Sequence, residues 1–205
     1  MSTSISLLRE LPLFDGISQE TLQRVAETCR TLRFANGEAL LSQEAPGETM
    51  LLLVSGSVRV TRSTPVGRER ILGYIYAPAV LGEISVLSAS HRTATVTANG
   101  AVVALQLFRD ELQKLGEYCP RILWNLAGLL AQRVEELNAE LVASGIGSET
   151  NLAYVLLGLY RQREQSRVAQ PHLLPLGTLE LSQRLGTSRE TVLRLLRRFE
   201  AGRLV

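Results

Sequence analysis

Near the end of the chain, Arg189, Glu190 and Arg194 have the side-chain types and spacing to read the edges of base pairs. An arginine fork donates twice to O6 and N7 of guanine, and a glutamate accepts from the amine of cytosine. Thr187, Ser188 and Thr191 add short hydroxyls suited to phosphate oxygens, and a helix starting there adds its own positive field. Arg197 and Arg198 lie a turn further on and either touch the DNA backbone or solvate the helix. The plainer use of all these residues is a charged amphipathic helix on a surface. Gly186 and the leucines on either side of it favour DNA reading.

A second set lies earlier, where Gly82-Glu83-Ile84-Ser85-Val86-Leu87 is followed by His91-Arg92-Thr93-Ala94. Glycine lets backbone approach a ligand closely. A carboxylate accepts from a ribose hydroxyl, and a guanidinium fork with a hydroxyl clamps a phosphate. Successive backbone N–H groups around Ile84 and Ser85 make a hollow for an anion. The competing use of Glu83 and Arg92 is a salt bridge tying two turns together. His91, without partners, reads as a solvated loop residue.

Both sets need scaffolds. Leu181 and Leu185 form the inner face of a short helix over 178–185, and Gly186 supplies a tight turn. Val192, Leu195 and Leu196 face inward from a second helix over 188–200, completing a helix-turn-helix. The earlier set falls in a stretch from Leu32 to Phe108 that reads as β. Apolar runs such as Leu51-Leu52-Leu53-Val54 and Val102 to Phe108 alternate with turns at Asn36-Gly37, Pro46-Gly47, Ser55-Gly56, Pro65-Val66-Gly67 and Asn99-Gly100. Such spacing predicts a sandwich or barrel. Residues 6–30 read as helical, with Ser18 an N-cap and Leu11, Leu13, Phe14 and Ile17 packing beneath.

From Pro120 to Val142 the period is helical again, over about six turns. Leu123, Leu126, Leu130, Val134, Leu137 and Leu141 form a narrow seam, which belongs either to a helix packed on its own domain or to one that pairs subunits. Its narrowness and length favour pairing. Ser144-Gly145-Ile146-Gly147-Ser148 reads as a hinge, with Ser148 capping a helix over 149–165. Residues 166–177, with Pro171, Pro175 and Gly177, read as a loop.

Composition narrows the classes. The net charge of +2 makes the chain no polycation, so DNA contact has to come from locally concentrated arginine. Cys29 and Cys119 are too few for a four-cysteine zinc or iron–sulfur site, and a reduced compartment suits them. Two scattered histidines, His91 and His172, argue against a cupin-type metalloenzyme and against hydrolytic triads, so no metal and no catalytic residues are expected. No cationic leader precedes an apolar core, and no run approaches the roughly 20 apolar residues of a membrane span. A soluble, cytoplasmic protein is expected.

The segment Thr187–Arg194 resembles the recognition helix of the cyclic AMP receptor protein family, which includes the fumarate–nitrate regulators. The resemblance implies that Arg189, Glu190 and Arg194 read a TGTGA-like half-site. Gly82 to Leu87 with His91 to Val96 is similar to the family's phosphate-binding cassette. By that likeness Glu83 takes the ribose 2′-hydroxyl, Arg92 and Thr93 take the cyclic phosphate, and Gly82, Ile84 and Ser85 add contacts. Arg133 matches a family arginine that pairs with the ribose-binding carboxylate. Leu137 and Asn138 stand where cyclic-AMP-binding members carry a Thr-Ser pair facing the base; Asn138 can bond a purine edge and Leu137 cannot. The resemblance runs from about Leu11 to Leu204, with Glu44 and Pro78 in place of two family glycines.

The family likeness implies an α+β fold: an N-terminal antiparallel β-roll of the cyclic-nucleotide-binding jelly-roll type, a long dimerisation helix and a winged-helix-type helix-turn-helix. The family's wing hairpin is expected to be absent or truncated, because the sequence stops at Val205. The expected division is a sensing roll over 1–118, a dimerisation helix over 119–143, a hinge over 144–148 and a DNA-binding domain over 149–205. The expected function is a dimeric transcription regulator, not an enzyme, controlled by a cyclic nucleotide, with cyclic AMP first. Its expected partners are palindromic double-stranded DNA, a second copy of the chain and RNA polymerase, and no membrane. Two alternatives are an effector-independent family member and a cyclic-nucleotide-binding regulatory subunit that acts on a protein.

Overall fold

The structure, a computed structural model, describes residues 2–64, 67, 69–174 and 176–203. The turn read at Pro65-Val66, the loop residue Pro175 and the final Leu204 and Val205 lie outside the described residues. The fold is α+β, an antiparallel sheet followed by helices. The chain divides into two compact units, Met1–Val60 with Tyr74–Arg133, and Thr61–Gly73 with Val134–Val205.

The first unit opens with α1 (Ser2–Arg9), a 3-10 turn at Pro12–Phe14 and α2 (Gln19–Thr28). The stretch 6–30 read as helical is thus two helices joined by a 3-10 turn, the second starting after Ser18 as expected. Pro12 has no N–H to donate and holds Leu11 in extended backbone, φ −78° and ψ 125°. Ser18 caps α2, its Oγ accepting from the Thr21 amide at 3.2 Å.

The strands are β1 (Arg30–Phe34), β2 (Ala39–Leu41), β3 (Thr49–Ser63), β4 (Glu69–Tyr76), β5 (Ala79–Leu81) and β6 (Thr95–Phe108). β1, β6, β3 and β4 lie side by side in that order; β2 also pairs with β6, and β5 with β3. β1 runs antiparallel to β6 from Arg30 opposite Gln106 to Phe34 opposite Val102. β3 is apolar on both faces because both are covered. Met50, Leu52 and Val54 join a cluster with the helical residues Leu8, Phe14, Leu22, Leu112 and Ile122. Leu51 and Leu53 point the other way, into an all-strand cluster with Leu41, Leu81, Val96 and Val102. Each such leucine contributes roughly 1.5–3 kcal/mol by leaving water.

One helix falls between the strand runs read from Leu32 to Phe108, and another follows directly on them. α3 (Glu83–Leu87) starts from a left-handed Gly82, and α4 (Arg109–Tyr118) carries Asp110 and Glu111 in its first turn. Both are too short to declare a period of 3.6. Burial raises the Cys29 thiol to about 12, so it stays protonated at neutral pH.

α5 (Pro120–Ile146) begins at its proline, as expected, but does not stop at Ser144. Ser144 Oγ donates to the Leu141 carbonyl at 2.7 Å inside the helix, and one glycine, Gly145, costs only about 1 kcal/mol. Only Gly147, at φ +147°, separates α5 from α6 (Ser148–Gln165), so Ser148 is the first helical residue rather than the cap. The leucine seam divides: Leu126 is buried in the first unit's core, while Val134, Leu137 and Leu141 are 55%, 58% and 70% exposed. α7 (Thr178–Leu185) and α8 (Arg189–Ala201) complete the second unit. Arg184 of α7 pairs with Glu140 of α5 at 3.8 Å. Among the described residues no helix is long and apolar enough to cross a membrane.

Gly56 and Gly100 both take φ +91°, but a Cβ at Gly56 would strike the Ala101 carbonyl oxygen, whereas Gly100 faces open space. Gly56→Ala is expected to lower the unfolding free energy by at least about 2 kcal/mol more than Gly100→Ala. Urea denaturation of the two variants measures the difference; equal losses would contradict this packing of β3 on β6.

Candidate functional site

One cleft in the first unit has a wall of Leu41, Val60, Ile75, Leu81, Ala94 and Val96, the inner side of the roll. Its polar lining is Gly82, Glu83, Ile84, Ser85, Arg92, Thr93 and Arg133. Seven of the eight residues expected to hold a ligand thus converge. Asn138 is exposed further along α5, in the second unit, and is not among the lining residues.

At the cleft floor Gly82 has φ +78°, and a Cβ there would lie 2.5 Å from Arg92 Nη1. Bare backbone is what lets the guanidinium approach. Arg92 is 4% exposed. Its Nη1 donates to the Gly82 carbonyl (3.0 Å) and to Ser85 Oγ (2.8 Å). Its Nη2 donates to the Thr49 carbonyl and to Thr49 Oγ1 (3.1 Å). Burial lowers the Arg92 pKa, nearby Glu83 raises it and Arg109 lowers it; an arginine remains a cation regardless.

The backbone of Arg92 is clamped as well. Its amide donates to the Ala45 carbonyl and its carbonyl accepts from the Glu44 amide, both at 2.9 Å. Glu44 takes φ 65°, a left-handed conformation uncommon for a residue with a side chain.

Glu83 is 6% exposed. Its Oε1 lies 4.0 Å from Nη1 of the half-exposed Arg133. The Glu83–Arg92 salt bridge weighed as the competing use is not among the ion pairs of the described residues; Arg92 bonds neutral oxygens instead. Thr93 is exposed at the rim and Ile84 is 46% exposed.

Two participants escaped the sequence. Thr49 begins β3, and only the tertiary fold carries it to Arg92, 43 positions away in the loop before β6. Arg109 Nη2 donates to the carbonyls of Gly47 (2.7 Å) and Ser85 (3.1 Å), tying α3 to the loop before β3. Pro46-Gly47 in the sequence was the one available signal: a Cβ on Gly47 would lie 2.5 Å from that of Ser85. Among the described residues no group of three His, Cys, Asp or Glu is placed to hold a metal ion.

In the second unit Leu181, Val192, Leu195 and Phe199 are buried, which turns the other face of α8 outward. Arg189, Glu190, Arg194 and Arg197 are exposed there. α8 carries four arginines against two glutamates, so its outer face is locally positive. Ser188 Oγ accepts from the Thr191 amide (3.2 Å) and shares a hydrogen bond with Thr191 Oγ1 (3.0 Å), so both hydroxyls serve the cap. The Thr187 amide donates to the Ser182 carbonyl at 3.1 Å. Arg198, also exposed, pairs with Glu149 of α6 at 2.8 Å.

Residues 31–118 match the family model of the cyclic nucleotide-binding domain. The chain is 33% identical over 186 residues to the cyclic AMP receptor protein of Thermus thermophilus, covering 90% of this chain and 83% of that protein. It is 26% identical over 190 residues to the CRP-like cAMP-activated global transcriptional regulator of Mycobacterium tuberculosis, covering 91% and 84%. The crystal structure of the Thermus thermophilus catabolite activator protein superposes with a TM-score of 0.60 at 32% identity, covering 93% of this chain and 87% of that one.

Ser188→Ala removes the cap of α8 and is expected to destabilise the second unit by about 1 kcal/mol. Thermal or urea unfolding of the variant checks the loss, which Ser188→Asp should restore.

Proposed function

The chain belongs to the cyclic AMP receptor protein and fumarate–nitrate regulator family of transcription regulators, and on that premise we propose that it acts as a ligand-controlled, DNA-reading homodimer. The observation that carries the proposal is the outward face of α8, where Arg189, Glu190 and Arg194 stand exposed over a buried apolar side. In this reading those three residues contact base edges of a TGTGA-like half-site, with Thr187, Ser188 and Thr191 beside the phosphates.

Cyclic AMP is the first effector to consider. Arg92 and Thr93 take its phosphate, Glu83 its ribose, Gly82, Ile84 and Ser85 the remaining contacts, and Arg133 holds Glu83. Asn138 bonds the base. The exposed row Val134, Leu137 and Leu141, spaced by three and four, supports subunit pairing through α5. Residues 1–118 then sense, 119–143 pair, 144–148 hinge and 149–205 bind DNA. Ligand shifts the dimer only through its difference in affinity for two states, one of which sets the recognition helices about 34 Å apart. The protein works in the cytoplasm with RNA polymerase, as a regulator and not as an enzyme.

Leu137, apolar where cyclic-AMP-binding members carry a polar base contact, favours a second reading, a member that acts without effector.

In vitro selection of DNA sites, with and without cyclic AMP, is expected to return a palindrome with ligand-enhanced binding. Arg189→Ala should cost about 1–3 kcal/mol and relax the preference at one G·C pair per half-site. Equal binding with and without nucleotide moves the assignment to the second reading, and absence of any sequence preference sinks both.

A further inference from the structure

Arg92 is already heavily committed. Its four bonds, to the Gly82 carbonyl, Ser85 Oγ, the Thr49 carbonyl and Thr49 Oγ1, account for both hydrogens on each terminal nitrogen. A guanidinium has five N–H groups, so only Nε lies outside this set. A two-point grip on an anion uses neighbouring nitrogens of the fork, and every such pair includes a terminal one. Two phosphate oxygens can therefore be gripped only if at least one protein acceptor gives way.

The four acceptors are not equally replaceable. The carbonyls of Gly82 and Thr49 are backbone, set by the start of α3 and of β3. Ser85 Oγ is held at a second point, donating to the Gly82 carbonyl at 3.1 Å, and its residue is 2% exposed. The Thr49 hydroxyl is the acceptor that can leave by rotation about one bond, on a residue that is only half-buried.

We infer that the Thr49 hydroxyl competes with the cyclic phosphate for Arg92, and that Thr49, which does not itself line the cleft, thereby sets affinity and specificity through Arg92. A charged phosphate oxygen outbids a neutral hydroxyl for a guanidinium N–H. A ligand without an anion gains nothing from the exchange, so the competition selects for a phosphodiester over a neutral nucleoside. The inference rests on the reading of the cleft as a cyclic nucleotide site.

The test is calorimetric titration of the full chain with cyclic AMP, and with adenosine as the phosphate-free control. The proteins are the wild type, Thr49→Val, Thr49→Ala and Thr49→Ser. Removing the hydroxyl leaves a guanidinium N–H for the phosphate alone, so Thr49→Val and Thr49→Ala should bind cyclic AMP about tenfold more tightly. Thr49→Ser, which keeps the hydroxyl, should match the wild type, and adenosine binding should be unmoved throughout. Two hydroxyl-deleting variants guard against one that fails to fold, and circular dichroism with thermal unfolding verifies both. Unchanged or weaker cyclic AMP binding in the folded variants, with the wild type still binding, overturns the competition alone. If neither wild type nor variants bind cyclic AMP or cyclic GMP, the nucleotide reading falls and takes the competition with it.

Discussion

A guanidinium buried inside a β-roll is tolerable only when its N–H groups find oxygen, because an unpaired charge away from water is expensive. Arg92, 4% exposed, meets that condition through acceptors from three places in the first unit. They are Thr49 at the start of β3, Gly82 ahead of α3 and Ser85 within α3. Its own backbone is bonded to Glu44 and Ala45. The cassette is thus organised around one cation. Gly82 lacks a side chain so that the cation can enter, and Arg109 braces the same short helix through the Ser85 carbonyl. The apolar β3 packing next to Thr49 holds one acceptor in register.

The helix-turn-helix end obeys a different constraint. Nothing charged is buried on α8. Its geometry comes from an apolar side of Val192, Leu195 and Phe199 and from the Ser188 cap, which together decide which arginines stand outward. Arg194 and Arg198 differ by about one turn in position but not in chemistry, and both are exposed, yet Arg198 is paired with Glu149. A sequence reader sees two equivalent cations. A carboxylate on another helix is what sets them apart.

Much of the site was legible in the chain. Gly82, Glu83, Ser85, Arg92 and Thr93 lie close in sequence, so their meeting in one cleft needs only a strand, a short helix and a return strand. The helix-turn-helix is likewise local, built from neighbours within about two dozen residues. Thr49 and Arg109 were invisible because their roles depend on contacts with residues 24 to 62 positions away in the chain. The leucine seam misled in part for the same reason. Equal spacing cannot reveal that Leu126 meets a core while Leu137 and Leu141 do not.

By itself, the sequence determined which segments alternate as strands, which repeat as helices, and where glycine, serine and proline start or stop them. These are properties of a residue and its near neighbours, set by backbone sterics and by the two periods of side-chain direction. Tertiary structure alone decided that Arg92 bonds Thr49 and not Glu83, that Glu83 faces Arg133, and that the long helix passes Ser144 to end at Ile146. Each of these outcomes turns on distances between residues far apart in the chain or on packing that offsets a weak local preference, and neither quantity is written in spacing.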